Sequence, residues 1–189
     1  DENCTKPVNG ATGNKYQIET DYLPAAGSPH ASARHYNARF VRPRGLGRGW
    51  RHSYDRQFSA TGTGNGATAV VVRPDGMAYR FTRSSSGWTA DADISDRLID
   101  AVVGGQTQYQ LTLAQDNSTE VYSATGHLLS LVYANARRVD HGYDEGGRLL
   151  QVTDALSGRR LRFSYVAADR PQIATMTDPG GHVFSYQYS

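Results

Sequence analysis

From residue 119 onward, apolar and polar positions alternate in short runs, and each run closes on a cluster of Asp and Gly. Leu161, Phe163 and Tyr165 share one face of an extended segment, while Arg160, Arg162 and Ser164 point to the other, the pattern of a half-buried strand. The punctuation is Asp144-Glu145-Gly146-Gly147, Asp154 to Gly158, and Asp178-Pro179-Gly180-Gly181. Asp opens such a turn because its carboxylate accepts from backbone N–H groups nearby. Gly closes it because it reaches positive φ without a Cβ clash. The clusters are too closely spaced for a helix of useful length, so the pattern predicts an antiparallel hairpin or meander sheet, all-β with little or no helix.

The runs also repeat. The clearest copy holds Tyr143, Asp144, Gly147, Arg148, Leu149, Val152 and Asp154, then Gly158, Leu161, Phe163 and Tyr165. The next carries Asp178, Gly181, Phe184, Tyr186 and Tyr188, with Gly158 matching Gly181 and Tyr165 matching Tyr188, each 23 residues on. A degenerate earlier copy has Tyr122, Gly126 and Leu128. A fixed period of this size marks a repeat architecture, in which each unit buries its apolar face by stacking on its neighbours. The chain divides accordingly into an N-terminal β module, residues 1–118, and about three repeats, residues 119–189. Val183 to Tyr188 reads as a strand in mid-repeat whose outer edge has no Pro or Lys to protect it, so it is expected to recruit another strand.

Upstream, the pattern is again hairpins. Tyr16, Ile18, Thr20 and Tyr22 alternate with polar neighbours as in a strand. Thr61 to Thr68 reads as a loop, Ala69 to Arg73 as a β-branched strand, and Pro74-Asp75-Gly76 as a turn. Ser84 to Gly87 and Gly104-Gly105 are further turns. Asp91 to Asp100 is ambiguous, because Ile94, Leu98 and Val102 also suit a helix face; the neighbouring hairpins favour strand and loop. Gly45, Gly47 and Gly49 form a tight turn before Trp50, followed by Tyr54 and Asp55.

Composition narrows the chemistry. A net charge of +2 over 189 residues names no partner, and no apolar stretch is long enough to span a bilayer. Arg34, Arg39, Arg42, Arg44, Arg48, Arg51 and Arg56 interleave with Tyr36, Phe40, Trp50 and Tyr54, which on its face resembles a nucleic-acid surface. The reading preferred is structural, with Arg stacked on rings and paired with carboxylates, so nucleic acid is not expected as a partner. The glycines before Trp50 lack the Gly-Lys-Ser/Thr ending of a phosphate loop. His30, His35, His52, His127, His141 and His182 show no metal-ligand spacing, and the single Cys4 excludes a Cys-rich zinc site, so no metal or cofactor is expected. Ser53 beside His52 is not a triad, and the prominent Asp residues already have work in turns, so no catalytic residues are assigned. Cys4 is read as a free thiol, or as a partner for a second chain or for a residue outside this sequence. The chain begins at Asp1, which is taken to follow removal of a preceding segment.

The Tyr-Asp-x-x-Gly-Arg-Leu-x-x-Val-Thr-Asp run from Tyr143 to Asp154, with the Gly-Arg and aromatic strand after it, resembles the Rhs or YD repeat. Pro7 to Tyr16, Glu19 to Tyr22 and Leu46 to Asp55, with Gly47, Gly49, Trp50, Tyr54 and Asp55, resemble the domain that precedes those repeats. The resemblance implies a bacterial polymorphic-toxin or surface protein, secreted or displayed for interbacterial competition. In such proteins the repeats wind a β-sheet into a shell around a variable C-terminal segment. This chain would then be non-catalytic scaffold, the N-terminal part of the container. Three repeats make an arc rather than a closed shell, so its partner would be the remainder of a longer chain or another copy of itself. The competing reading is a binding or self-assembly module that offers Tyr- and Arg-rich sheet faces to carbohydrate or protein. Where the side chains of Leu161, Phe163 and Tyr165 and of Phe184, Tyr186 and Tyr188 point separates the two.

Overall fold

The computed structural model describes residues 8–9, 13–24, 29–40 and 45–188. Among them there is no helix, and every strand pairing is antiparallel. The fold is all-β, as the hydropathy pattern predicts. Two compact units form, one from residues 1–55, 74–76 and 161–189, the other from 56–73 and 77–160. These units cut across the sequence boundary at residue 118.

In the first unit β1 (Val8–Asn9), β2 (Asn14–Tyr22), β3 (Ser32–Asn37) and β4 (Trp50–His52) pair in chain order. β15 (Arg160–Tyr165), β16 (Ile173–Thr177) and β17 (Val183–Ser185) form a second ladder. Its core holds Leu46, Tyr54, Leu161, Phe163, Ile173 and Met176, and His52 stacks on Phe163 at 5.8 Å. The face of β2 is not the one its apolar residues suggest. Ile18 is 54% exposed and Thr20 is exposed, because the opposite face turns Glu19 and Asp21 toward Arg34 on β3.

In the second unit β5 (Gln57–Thr61), β6 (Thr68–Val72), β7 (Ala78–Ser84) and β8 (Gly87–Ala90) form one meander. The other contains β9 (Arg97–Val103), β10 (Gln106–Thr112), β11 (Thr119–Ser123), β12 (Leu128–Val132), β13 (Arg138–Tyr143) and β14 (Leu149–Asp154). They pack through Phe58, which stacks on Tyr122 at 5.3 Å and meets Tyr109 at 4.4 Å; Val71, Phe81, Leu111, Leu128 and Val152 are fully buried around them. The ambiguous stretch before Asp100 is turn and coil up to residue 96 and then strand, so strand and loop is the outcome.

One irregularity recurs. The register slips by one residue beside Tyr122, beside Tyr143 and beside Tyr165. After each slip the Tyr faces an aliphatic residue: Tyr122 opposite Leu128, Tyr143 opposite Leu149, Tyr165 opposite Ile173. The extra residue bulges on the partner strand. Its effect is on burial: Leu128 and Leu131, Leu149 and Val152, Ile173 and Met176 are all buried although each pair is three residues apart. Strict alternation sends such a pair to opposite faces, and one bulge restores both to the core.

The turns fall where Asp or Gly places them, except Tyr133–Arg137, which contains neither. Ser123–His127, Tyr133–Arg137, Asp144–Arg148 and Asp178–His182 share one geometry, in which the first residue bonds the carbonyl of the fifth and accepts from the fourth. The fourth position takes positive φ: Gly126, Gly147 and Gly181 at 91°, 77° and 88°, but Ala136 at 61°. The Asp154 turn is one residue longer, with Gly158 at 70°. At Gly126 a side chain would also collide with the Phe58 carbonyl oxygen.

Opposite substitutions in matching turns should therefore act with opposite sign. Gly147→Ala should destabilise by about 1 kcal/mol or more, and Gly126→Ala by more than that. Ala136→Gly should be neutral to stabilising by up to ~1 kcal/mol, since the left-handed strain of an L-residue is relieved. Urea denaturation of the three variants checks this; equal losses at Gly147 and Ala136 would contradict it.

Candidate functional site

The repeat motifs are placed as hairpin hardware. In the second unit Tyr122 is fully buried and its hydroxyl donates to Glu120 at 2.5 Å. Glu120, itself buried, also pairs with Arg56. Tyr143 donates its hydroxyl to the Leu128 carbonyl at 2.8 Å, tying one repeat to the strand before it. Asp144 accepts from the Arg148 N–H at 2.8 Å and from Arg148 Nε at 2.7 Å. The Arg148 backbone donor is the largest cause of its carboxyl lying below the usual range; partial burial opposes it and the Arg148 side chain adds to it. Asp154, fully buried, accepts from Arg137 Nη2 at 2.8 Å, Ser157 Oγ at 2.7 Å and the Leu156 N–H at 3.1 Å. Leu149 and Val152 lie in the core beside it.

In the first unit Asp178 repeats the arrangement with His182 in place of Arg, accepting from its N–H and facing its Nδ1, each at 2.9 Å. Burial alone would raise the Asp178 carboxyl, but the His182 side chain and the backbone donors of His182 and Gly180 hold it below the usual value. Gly47 and Gly49 both take φ of 82°, and a side chain on Gly49 would press into the Tyr36 ring. Tyr54 is buried with its hydroxyl donating to the Ala31 carbonyl at 2.7 Å, and Asp55 lies 3.9 Å from Arg51. Ser53 Oγ bonds the backbone of Ala33, at 2.9 Å from its N–H and 3.2 Å from its carbonyl. His52 Nδ1 accepts from the Tyr54 N–H at 3.3 Å. Burial lowers the pKa of His52; Asp55 opposes this, and His35 and Arg51 push it down further. Among the described residues no group of His, Cys, Asp and Glu is arranged to hold a metal ion.

The basic stretch is largely spent in the fold. Arg34 Nε meets both Asp21 oxygens at 2.9 and 3.0 Å and its Nη2 meets Glu19 at 2.7 Å, while its plane lies 5.3 Å from Trp50 and 5.8 Å from Tyr186. Arg51 lies over Phe40 at 4.4 Å. Arg42 and Arg44 are outside the described residues.

Around Arg34 a cleft of roughly 740 Å³ opens in the first unit, bordered by Trp50, Tyr186, Tyr188, Arg48, Gln172 and Gln187 among others. Sequence reasoning did not assemble it, because its walls come from residues over a hundred positions apart. The terminal side chains it did single out divide: Leu161 and Phe163 are buried, Tyr165, Phe184 and Tyr186 half-buried, and Tyr188 39% exposed. Tyr186 donates to Asp21 at 3.0 Å, and burial, then the Asp21 charge, raise its pKa far above an ordinary phenol. Tyr188 donates to the Ile173 carbonyl at 2.6 Å, and burial pushes its pKa up to about 12.

Serial antiparallel hairpins with a Tyr at every bulge define a β-repeat protein. Family models agree on which kind: the RHS Repeat matches residues 122–159 and 143–183, and the Domain of unknown function (DUF6531) matches residues 5–81. The chain is an Rhs/YD-repeat protein with that domain ahead of its repeats. No curated protein matches it. No helix among the described residues is long and apolar enough to cross a membrane.

Two pH dependences follow. Burial lowers the His52 pKa in the fold below its ordinary value near 6.5, so the unfolded chain binds more protons as pH falls through that value. Stability should drop on going from about pH 7.5 to about pH 5.5. His52→Phe, which keeps the stack on Phe163, should remove much of that slope. The depressed Asp144 and Asp178 contribute stability that is present above about pH 4 and lost as pH falls through their folded values. Asp144→Asn should therefore flatten the acid limb without altering the His52 slope. Urea midpoints measured against pH check both, and a profile unchanged in either variant would contradict the assignment.

Proposed function

We propose that the chain is a non-catalytic β-scaffold, the N-terminal part of an Rhs/YD-repeat shell or surface protein of a bacterium. In this reading it is secreted or displayed, and it houses or presents a C-terminal toxin or effector segment. The observation that carries the proposal is the Tyr-bulge-aliphatic rung, built three times in series at Tyr122, Tyr143 and Tyr165. Such a rung extends a sheet by repetition, and the polar residues around it serve turns rather than converge on a reacting centre. The motif residues Asp144, Asp154 and Asp178 are bonded to turn backbone donors and to Arg148, Arg137 and His182.

β17 is the place where extension would continue. It pairs with β16 through Thr175↔Ser185, Met176↔Phe184 and Thr177↔Val183, and Val183 is 59% exposed. In the proposal its other edge accepts the next repeat of a longer chain or a second copy.

Two measurements test this. With the natural sequence after Ser189 retained, limited proteolysis should leave the repeats and the downstream segment protected together. The amides of Phe184 to Tyr188 should exchange slowly there and faster in the 189-residue chain alone. A downstream segment digested as freely as an unfolded one would sink the container. Separately, His52→Ala, Asp144→Ala and Asp154→Ala should lower stability, by about 3 kcal/mol for the buried Asp154, and change no reaction. Nuclease, deaminase or glycosidase turnover abolished by one of them in a still-folded protein would overturn the non-catalytic reading.

A further inference from the structure

β9 leaves one edge of the second unit's larger sheet bare, in a form that sheet proteins ordinarily avoid. It pairs with β10 from Arg97↔Thr112 to Val103↔Gln106 without a register shift, whereas the repeat hairpins each carry a bulge. Among the described residues no other strand pairs with it. A Pro, a Lys or a bulge would blunt such an edge, and β9 has none of them. Its exposed large side chains are apolar: Ile99 at 40%, Val102 at 74% and Val103 at 49%. Its one internal charge is already occupied, since the Asp100 carboxylate accepts from Arg83 Nη1 at 2.6 Å and from Trp88 Nε1 at 2.9 Å.

The turn beside β9 tells which backbone groups face the open edge. Gly104 and Gly105 take φ of 57° and 78°, as in a two-residue type I′ hairpin loop. Val103 and Gln106 flank that loop as a hydrogen-bonded pair, so Val103, Ala101 and Ile99 turn their N–H and C=O groups toward β10. Leu98, Asp100 and Val102 therefore turn theirs outward.

We infer that this edge binds a second copy of itself, β9 against β9, antiparallel about a twofold axis through Ala101. Residues directly opposite in a sheet share a face, so an axis normal to the sheet must pass through a residue. An axis through Asp100 sets two carboxylates opposite each other, which is unfavourable. An axis through Val102 sets Asp100 and Ile99 against the glycine turn. The axis through Ala101 sets Ile99 against Val103 and Asp100 against Val102, twice over. All three exposed apolar side chains then gain a neighbour, no like charges meet, and the outward groups of Asp100 and Val102 bond each other. An isologous pairing of this kind consumes the edge and closes at two copies. An unrelated extended peptide fits less well, because the edge selects a partner only through this self-complementarity. The pairing uses no residue of β17, so it stands or falls apart from the continuation proposed there.

The test uses the 189-residue chain with Cys4→Ser, which removes its single thiol. Sedimentation velocity from about 1 to about 100 µM should show a reversible monomer–dimer equilibrium. Val102→Asp, which sets a second carboxylate opposite Asp100, should weaken the dimer by about tenfold or more at unaltered melting temperature. Val183→Asp, on β17, should leave the dimer as it was. Ala101→Cys should give a disulfide-linked dimer on mild oxidation, because opposite residues of a non-hydrogen-bonded pair have Cα atoms about 4.5 Å apart, within the span of a disulfide. Ile99→Cys alone should not cross-link, since its two copies lie roughly 13 Å apart along the strands. Combined with Val103→Cys it should. A chain that stays monomeric over this range overturns the inference. So does a dimer indifferent to Val102→Asp, a dimer lost with Val183→Asp, or cross-linking through Ile99→Cys alone that equals that through Ala101→Cys. Should Val102→Asp lower the melting temperature, the cross-linking pattern decides.

Discussion

A strand that must bury residues three apart cannot remain a regular strand, and the repeats of this protein are built around that constraint. Leu149 and Val152 belong to opposite faces of an ideal pleat, yet both are in the core. The bulge that reconciles them sits opposite Tyr143, whose hydroxyl then reaches the Leu128 carbonyl of the preceding strand. The same slip accompanies Tyr122 and Tyr165. The Tyr is thus a cross-strand partner for the aliphatic residue at the far side of the turn, and its position fixes the register of the hairpin. Bulges also increase local twist, so a sheet extended by these rungs is driven to coil as it grows.

The turns between rungs consume the residues that would otherwise suggest chemistry. Asp144 and Asp178 bind the backbone and side chain of the fifth turn residue, which is Arg in one case and His in the other. Where Ser123 stands in the first position its hydroxyl accepts from the His127 N–H at 3.1 Å, a weaker version of the same bond. Tyr133 opens an equivalent turn in which the Arg137 N–H donates to Asn135 Oδ1 at 3.1 Å, and there Ala136 takes the left-handed position. Backbone geometry is therefore the shared element, and carboxylates reinforce it where present.

The first unit uses charge differently. Arg34 collects two carboxylates and two rings, and Tyr186 completes the group through Asp21. Such a cluster holds N-terminal strand and terminal repeat residues together. The same arrangement turns Ile18 outward on β2, since the face that carries Glu19 and Asp21 is the one that must meet Arg34.

The all-β class, the hairpin turns and the repeat were legible in the sequence because each depends on local physics. Period-2 alternation marks strands, and Asp and Gly mark turns by hydrogen bonding and by access to positive φ. The three-residue spacing of Leu128 and Leu131, of Leu149 and Val152, and of Ile173 and Met176 was also on the page; read as a parity violation within a strand, it would have located the bulges. The face of β2, the grouping of residues 161–189 with the first 55 and the cleft with its orphaned Gln172 oxygen were not legible. Each depends on which distant residues meet, and the free energy of a carboxylate facing a guanidinium, or of a buried amide facing nothing, exists only once the tertiary structure has chosen its neighbours.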